Sequence, residues 1–163
     1  MDASLLSLSS AVGKTLIDHA LTISTAESCT GGLLSYALTA TPGSSAYFTG
    51  GVVAYSNAIK TQVLGVHAMT LEEFGAVSVQ TAREMAEGVQ KRFQTDIGLS
   101  TTGIAGPTGA TFNKPVGLVC VGISIPEKTW AYECRFSGER LEIMQKSVCE
   151  VLNRLLVELG AIE

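Results

Sequence analysis

Residues 116–125, VGLVCVGISI, form a nearly unbroken apolar run half the length of a membrane helix and rich in β-branched side chains. A strand with no polar face cannot lie against water on either side, so it requires a sheet covered by helices on both faces. This run is therefore expected at the centre of the sheet. Segments with helical periodicity supply the cover. Leu5, Leu8, Val12 and Leu16 predict an opening helix reaching about Ala20, and Leu33, Leu34, Ala37 and Leu38 a second one stopped by Pro42 and Gly43. Ser56 reads as the cap of a helix running to Leu64 with Gly65 as its stop, and Thr70–Glu73 as a capping box heading a short helix that ends near Gly75. Ser78 reads as the cap of a helix burying Val79, Ala82, Met85, Ala86, Val89 and Phe93, and the stripe from Leu141 to Leu159 closes the chain. Between them, 22–26, 48–55 and 96–101 read as strands, the last lying beside 116–125. Trp130, Tyr132, Cys134 and Phe136 alternate with polar neighbours as a hairpin partner does, so the sheet is expected to be mixed.

Length and charge set the class. A chain of 163 residues removes roughly 68–70% of its extended surface from water, enough for one domain over residues 1–163 without disulfides or structural metal. With 15 acidic against 11 basic residues and no basic run, nucleic acid is not expected as the main partner, while one small phosphate remains open. Cys29, Cys120, Cys134 and Cys149 form no Cys-x-x-Cys pair and the two histidines, His19 and His67, lie far apart, so no metal site is expected. Serines interrupt the apolar start, no basic segment precedes it, and no run approaches the ~20 residues of a membrane helix, so a cytoplasmic protein with no membrane partner is expected.

Four places carry polar or glycine-rich residues where an α/β sheet puts its ligand. In AESCTGG, 26–32, Ser28 reads either as a helix cap or as a nucleophile whose oxyanion the N–H groups of Thr30, Gly31 and Gly32 hold. In YSNAIK, 55–60, Lys60 falls near the first turn of a helix, where the dipole disfavours a cation; it is a surface lysine or, deprotonated, a general base. In TTGIAGPTG, 101–109, the glycines at 103, 106 and 109 suit either a tight loop or an anion-binding nest, and match neither a Walker loop nor G-x-G-x-x-G. Arg140, early in the last helix, opposes the dipole there unless Glu139, Glu142 or a ligand anion compensates.

Together TAESCTGG, GGVVAYSNAIK, LGV, GAVS, REMAEG, TTGIAGPTG, KPVGLV and FSGER, in this order over most of the chain, resemble the CinA C-terminal domain family. The resemblance implies an α/β class, three-layer α/β/α domain with a mixed, mostly parallel sheet, and a homodimer or higher homo-oligomer. It implies a nicotinamide-nucleotide amidase that needs no metal or other cofactor and hydrolyses the carboxamide of nicotinamide mononucleotide, a small-molecule partner. Ser28 matches the nucleophile and Lys60 the base; Tyr55 and Thr102 match further catalytic positions. Glu27, Thr30, Gly31, Gly32, Gly103, Gly106 and Arg140 are then assigned to the substrate, with Arg140 and the 103–109 loop toward phosphate or ribose and Glu27 orienting its neighbours. The chain departs from the family in carrying Thr108 and Ala110 where glycines are usual, and in lacking the molybdopterin-binding-like domain of many members, so a second activity of the fused proteins is expected to be absent. The competing readings are a module that binds a pyridine nucleotide without turnover and an interaction protein, which matched binding and ammonia-release measurements separate.

Overall fold

The computed structural model describes residues 3–160. Its elements run α1 (Ala3–Asp18), β1 (Ile23–Glu27), α2 (Leu33–Thr39), β2 (Phe48–Val53), α3 (Asn57–Leu64), α4 (Ala68–Phe74), α5 (Val79–Phe93), β3 (Ile97–Gly103), β4 (Leu118–Ile125), β5 (Lys128–Arg135) and α6 (Arg140–Glu158). The strands form one sheet in the order β2-β1-β3-β4-β5. β1 is parallel to β2 and β3, and β4 is antiparallel to β3 and β5, so β4 alone opposes the common direction of the other strands. The fold is a three-layer α/β/α domain with a mixed sheet. The middle position belongs to β3, not to β4 as the apolar run implied. β4 is nonetheless buried along nearly its whole length.

The two faces of the sheet differ in kind. Ile23, Ile97, Leu99, Val119, Val121 and Ile123 point into a large core shared with Leu5, Val12 and Leu16 of α1, Leu34 and Leu38 of α2, and Val151 and Leu155 of α6. Each such side chain contributes about 1.5–3 kcal/mol by leaving water. The opposite face is lined by small residues, and α5 lies directly on it. A Cβ on Gly98 would fall 2.1 Å from the Ala86 carbonyl oxygen and one on Gly122 would fall 2.5 Å from that of Ala82. Ser100 Oγ donates to the same Ala82 carbonyl at 2.6 Å. Ala26, Ala54, Leu64, Val66, Met85 and Val89 form a second, smaller core there.

Local chemistry marks most helix ends. Ser56 Oγ accepts from the Ile59 N–H and Gly65 takes a left-handed conformation with φ 73°, which bound α3 as expected; Ser78 Oγ accepts from Thr81 N–H at the head of α5. The capping box expected at Thr70 is corrected: α4 begins at Ala68 with His67 as its N-cap, and Thr70 lies inside it. The acceptor comes from α5, where Glu84 takes the His67 N–H at 2.8 Å and the Thr70 hydroxyl at 2.7 Å. At α6 a capping box does form, between Glu139 and Glu142. No helix among the described residues is long and apolar enough to cross a membrane.

Candidate active site

β1 and β3 are parallel neighbours, but the helix following β1 packs on one face of the sheet and α5, preceding β3, on the other. The chain therefore leaves a crevice where the carboxyl ends of these two strands meet, the usual ligand position in an open α/β sheet. A cavity of about 220 Å³ occupies it, lined by Ser28, Cys29, Tyr55, Asn57, Lys60, Ala76, Val77, Thr102, Gly103, Ala105 and Arg140. Glu27 pairs with Thr101 across β1 and β3, and the Ser28 N–H donates to the Thr101 carbonyl at 2.9 Å, which sets Ser28 beside Thr102.

Lys60 Nζ lies 3.0 Å from Ser28 Oγ, 2.8 Å from the Ala54 carbonyl oxygen and 3.4 Å from that of Tyr55. Its side chain is 1% exposed, and none of the ion pairs among the described residues includes it. Burial lowers its pKa below 10.5, against a smaller opposing effect of Cys29. The partners fix what the neutral amine does. Two of them are carbonyls, which accept only; once both N–H bonds of a neutral amine go to these oxygens, its lone pair is left for the Ser28 hydroxyl. Cys29 borders the same cavity, but burial pushes its thiol up to about 12, so it remains protonated and a poor nucleophile.

The remaining residues separate into those that face the cavity and those that support it. Thr102 is 1% exposed, and its hydroxyl donates to the Ala76 carbonyl at 2.7 Å. Arg140 spans the rim, donating from Nη1 to the Gly106 carbonyl at 2.7 Å and from Nη2 to the Tyr55 hydroxyl at 3.1 Å. The dipole conflict expected at Arg140 is met by Glu142, whose carboxylate accepts the Glu139 N–H within the first turn. Gly103 lines the cavity, whereas Gly106 does not and reaches it only through its carbonyl bond to Arg140.

The assignment of Glu27 to the substrate is corrected. Glu27 is fully buried and lines no part of the cavity. Its carboxylate instead accepts from the Thr30 hydroxyl at 2.6 Å, the N–H groups of Gly32 and Leu34 at 3.0 Å each, and the N–H and hydroxyl of Ser35 at 2.8 and 2.6 Å. It is an anchor for the N-terminus of α2. Of the N–H groups expected to hold an oxyanion, that of Gly31 donates to the Ser28 carbonyl and that of Gly32 to Glu27, and the Thr30 hydroxyl also goes to Glu27. The N–H groups of Cys29 and Thr30 make no backbone hydrogen bond in the described structure.

Thr108, Gly109 and Ala110, where the loop departs from the family pattern, are exposed and outside the cavity wall. Sequence reasoning missed Cys29, Asn57, Ala76 and Val77. For Asn57 a signal existed, since it lies three residues before Lys60 and hence on the same side of α3. Among the described residues, no group of three or more His, Cys, Asp or Glu is placed to hold a metal ion.

Comparison with known proteins agrees with this fold. The pattern of the CinA C-terminal domain family matches residues 5–159. A CinA-like protein of Chlorobium limicola is 57% identical over 146 residues, and one of Cyanothece is 52% identical over 159. These matches cover 85% and 94% of this chain but only 34% and 38% of the relatives, so the chain spans little more than a third of their length. The crystal structure of a competence/damage inducible protein from Agrobacterium tumefaciens superimposes with a TM-score of 0.94 at 39% identity, covering 98% of both chains. One of a competence-damaged protein (CinA) superfamily member from Enterobacter cloacae gives 0.91 at 37% identity, over 95% of this chain and 92% of that one. The chain belongs to the CinA C-terminal domain family.

Proposed function

We propose that this chain is a serine-centred amidohydrolase that converts nicotinamide mononucleotide to nicotinate mononucleotide and ammonia. The observation that carries the reading is the 3.0 Å separation of Ser28 Oγ and Lys60 Nζ, in a cavity where the other partners of Nζ are carbonyl oxygens. Neutral Lys60 takes the hydroxyl proton of Ser28 as Oγ attacks the carboxamide carbon, and a C–O bond forms. The N–H group of Cys29, which lines the cavity, holds the resulting oxyanion. The lysinium returns its proton to the amide nitrogen, the C–N bond breaks and ammonia leaves. Water, activated by the same amine, then hydrolyses the Ser28 ester to the carboxylate.

The choice of nucleotide rests on the family resemblance and on the rim. Among the described residues Arg140 has no carboxylate partner, and its guanidinium lies beside the Tyr55 hydroxyl, which suits a phosphate monoester. Among the described residues no carboxylate lines the cavity to repel one. The cationic pyridinium draws electrons from the carboxamide, and phosphate binding away from the carbon under attack supplies orientation. The test incubates purified protein with nicotinamide mononucleotide, with and without chelator, and follows both products. Equal release of ammonia and nicotinate mononucleotide, indifferent to chelator and lost in Ser28→Ala, is expected. Nucleotide binding without ammonia would overturn the reading, and loss of turnover on chelation would overturn its lysine-only activation.

A further inference from the structure

We infer that Thr102 reads the nitrogen of the scissile amide, acting as a fixed hydrogen-bond acceptor that makes the site selective for primary carboxamides over the corresponding acids. The inference rests on the amidohydrolase reading and assigns it a specificity determinant.

A hydroxyl has one proton and two lone pairs, and a carbonyl oxygen can only accept. The Thr102 hydroxyl donates to the Ala76 carbonyl at 2.7 Å, so its proton is committed and only lone pairs remain for the cavity that Thr102 lines. Ala76 is itself held. The preceding carbonyl, of Gly75, accepts both the Ser78 and the Thr81 hydroxyl, at 3.0 and 2.8 Å, and Lys114 Nζ donates to the carbonyl of Phe74. The acceptor is therefore rigid, at the end of β3 next to the strand that delivers Ser28.

Several acceptors beside Ser28 are already engaged, and the Asn57 side-chain amide borders the cavity from α3. The carbonyls of Ala54 and Tyr55 receive Lys60, that of Thr101 receives the Ser28 N–H, and Glu27 is enclosed by its five donors. An amide NH₂ at the reacting carbon thus meets Thr102 Oγ1 as a buried acceptor with a lone pair to spare. A carboxylate in the same place brings two oxygens and no proton, leaving a lone pair against a lone pair. Sites built to pair with a donor reject an analogue that lacks it far more strongly than apolar pockets reject a missing methylene. Selectivity of this sense also clears the site after each turnover, because the product no longer pairs with the acceptor that admitted the substrate.

The experiment compares nicotinamide mononucleotide with the methyl ester of nicotinate mononucleotide, which delivers the same acyl group without an N–H donor. The expected result is that Thr102→Val lowers the amide-to-ester ratio of kcat/KM about tenfold or more, and that Thr102→Ser restores it. A ratio that Thr102→Val leaves unchanged, with both substrates still hydrolysed, overturns the role of Thr102 alone. A wild-type protein that hydrolyses neither overturns the amidohydrolase reading and this inference with it. A second measurement needs no change at Thr102. In Ser28→Ala protein, calorimetry should find nicotinate mononucleotide bound at least tenfold more weakly than nicotinamide mononucleotide, and equal or tighter binding of the acid overturns the inference.

Discussion

Replacing Glu27 by Gln tests whether this buried carboxylate is the anchor on which the Ser28 turn is built. Its two oxygens accept from five donors, three of them backbone N–H groups at the start of α2. A carboxamide keeps the shape but turns one oxygen into NH₂, which can only donate. If NH₂ takes the Oε1 place it faces the Ser35 N–H; if it takes the Oε2 place it faces those of Gly32 and Leu34. The Ser35 and Thr30 hydroxyls can rotate to accept from the new group, but a backbone N–H cannot. At least one buried donor is therefore left unpaired, at about 1–3 kcal/mol. Loss of the negative charge at a helix N-terminus adds about 0.3–1 kcal/mol, and up to ~2 in a buried setting. The cheaper desolvation of an amide returns part of this. The net expectation is a loss of about 2–4 kcal/mol, read as a lower urea midpoint at unchanged m-value. Because Glu27 does not line the cavity, the folded variant should lose kcat more than it changes KM. A loss below about 0.5 kcal/mol would refute the anchoring argument. A raised KM at unchanged kcat would return Glu27 to the substrate.

Three further outcomes are expected. Burial lowers the Lys60 pKa below 10.5, so kcat/KM should rise with pH as the amine deprotonates through that lowered value, while Lys60→Arg, protonated at every accessible pH, should show no comparable rise. Between that value and 10.5 the unfolded chain holds a proton that the native chain has released, so native stability should rise with pH across this window; urea curves at several pH values should show this gradient reduced in Lys60→Met, and parallel curves would contradict it. Gly88→Ala would place a Cβ 1.9 Å from the Leu64 carbonyl oxygen at the end of α3, and although alanine is about 1 kcal/mol the better helix former, overpacking of about 1–3 kcal/mol should lower Tm and, by moving the helix that carries Lys60, lower kcat; a raised Tm would show that the contact yields.

Features decided by near neighbours were legible in the sequence, and features decided across the fold were not. α3 could be delimited because Ser56 and Gly65 mark its ends by local hydrogen bonding and local backbone freedom. α4 could not, because its N-terminal acceptor is Glu84, on a helix 14–17 residues further along. The sheet centre was misplaced for a related reason. β3, IGLSTTG, is polar in composition, yet its glycine and hydroxyl residues are the ones that admit α5 and the turn before it, with Ser100 donating to Ala82 and Thr102 to Ala76. Hydropathy alone reads such a strand as wetter than its neighbour. Glu27 shows the same limit: the family resemblance grouped it with the substrate residues, whereas its donors lie three to eight residues later and become visible only when α2 folds back over the strand.

The two layers meet at Ala54, and this junction accounts for the precision that a Ser-Lys pair demands. Ser28 belongs to the β1–α2 turn, braced by Glu27 on one face of the sheet, while Lys60 belongs to α3 on the other. The Ala54 N–H donates to the Glu27 carbonyl at 2.7 Å, and the Ala54 carbonyl accepts Lys60 Nζ at 2.8 Å. One peptide segment at the end of β2 thus ties the strand that leads into Ser28 to Lys60. A rotation of this segment that broke either bond would separate Nζ from Oγ, and reaction rates fall steeply for displacements of the order of 1 Å. The exposed Tyr55 follows at once, so the residue that contacts Arg140 at the rim is carried by the same segment that aligns the pair beneath it.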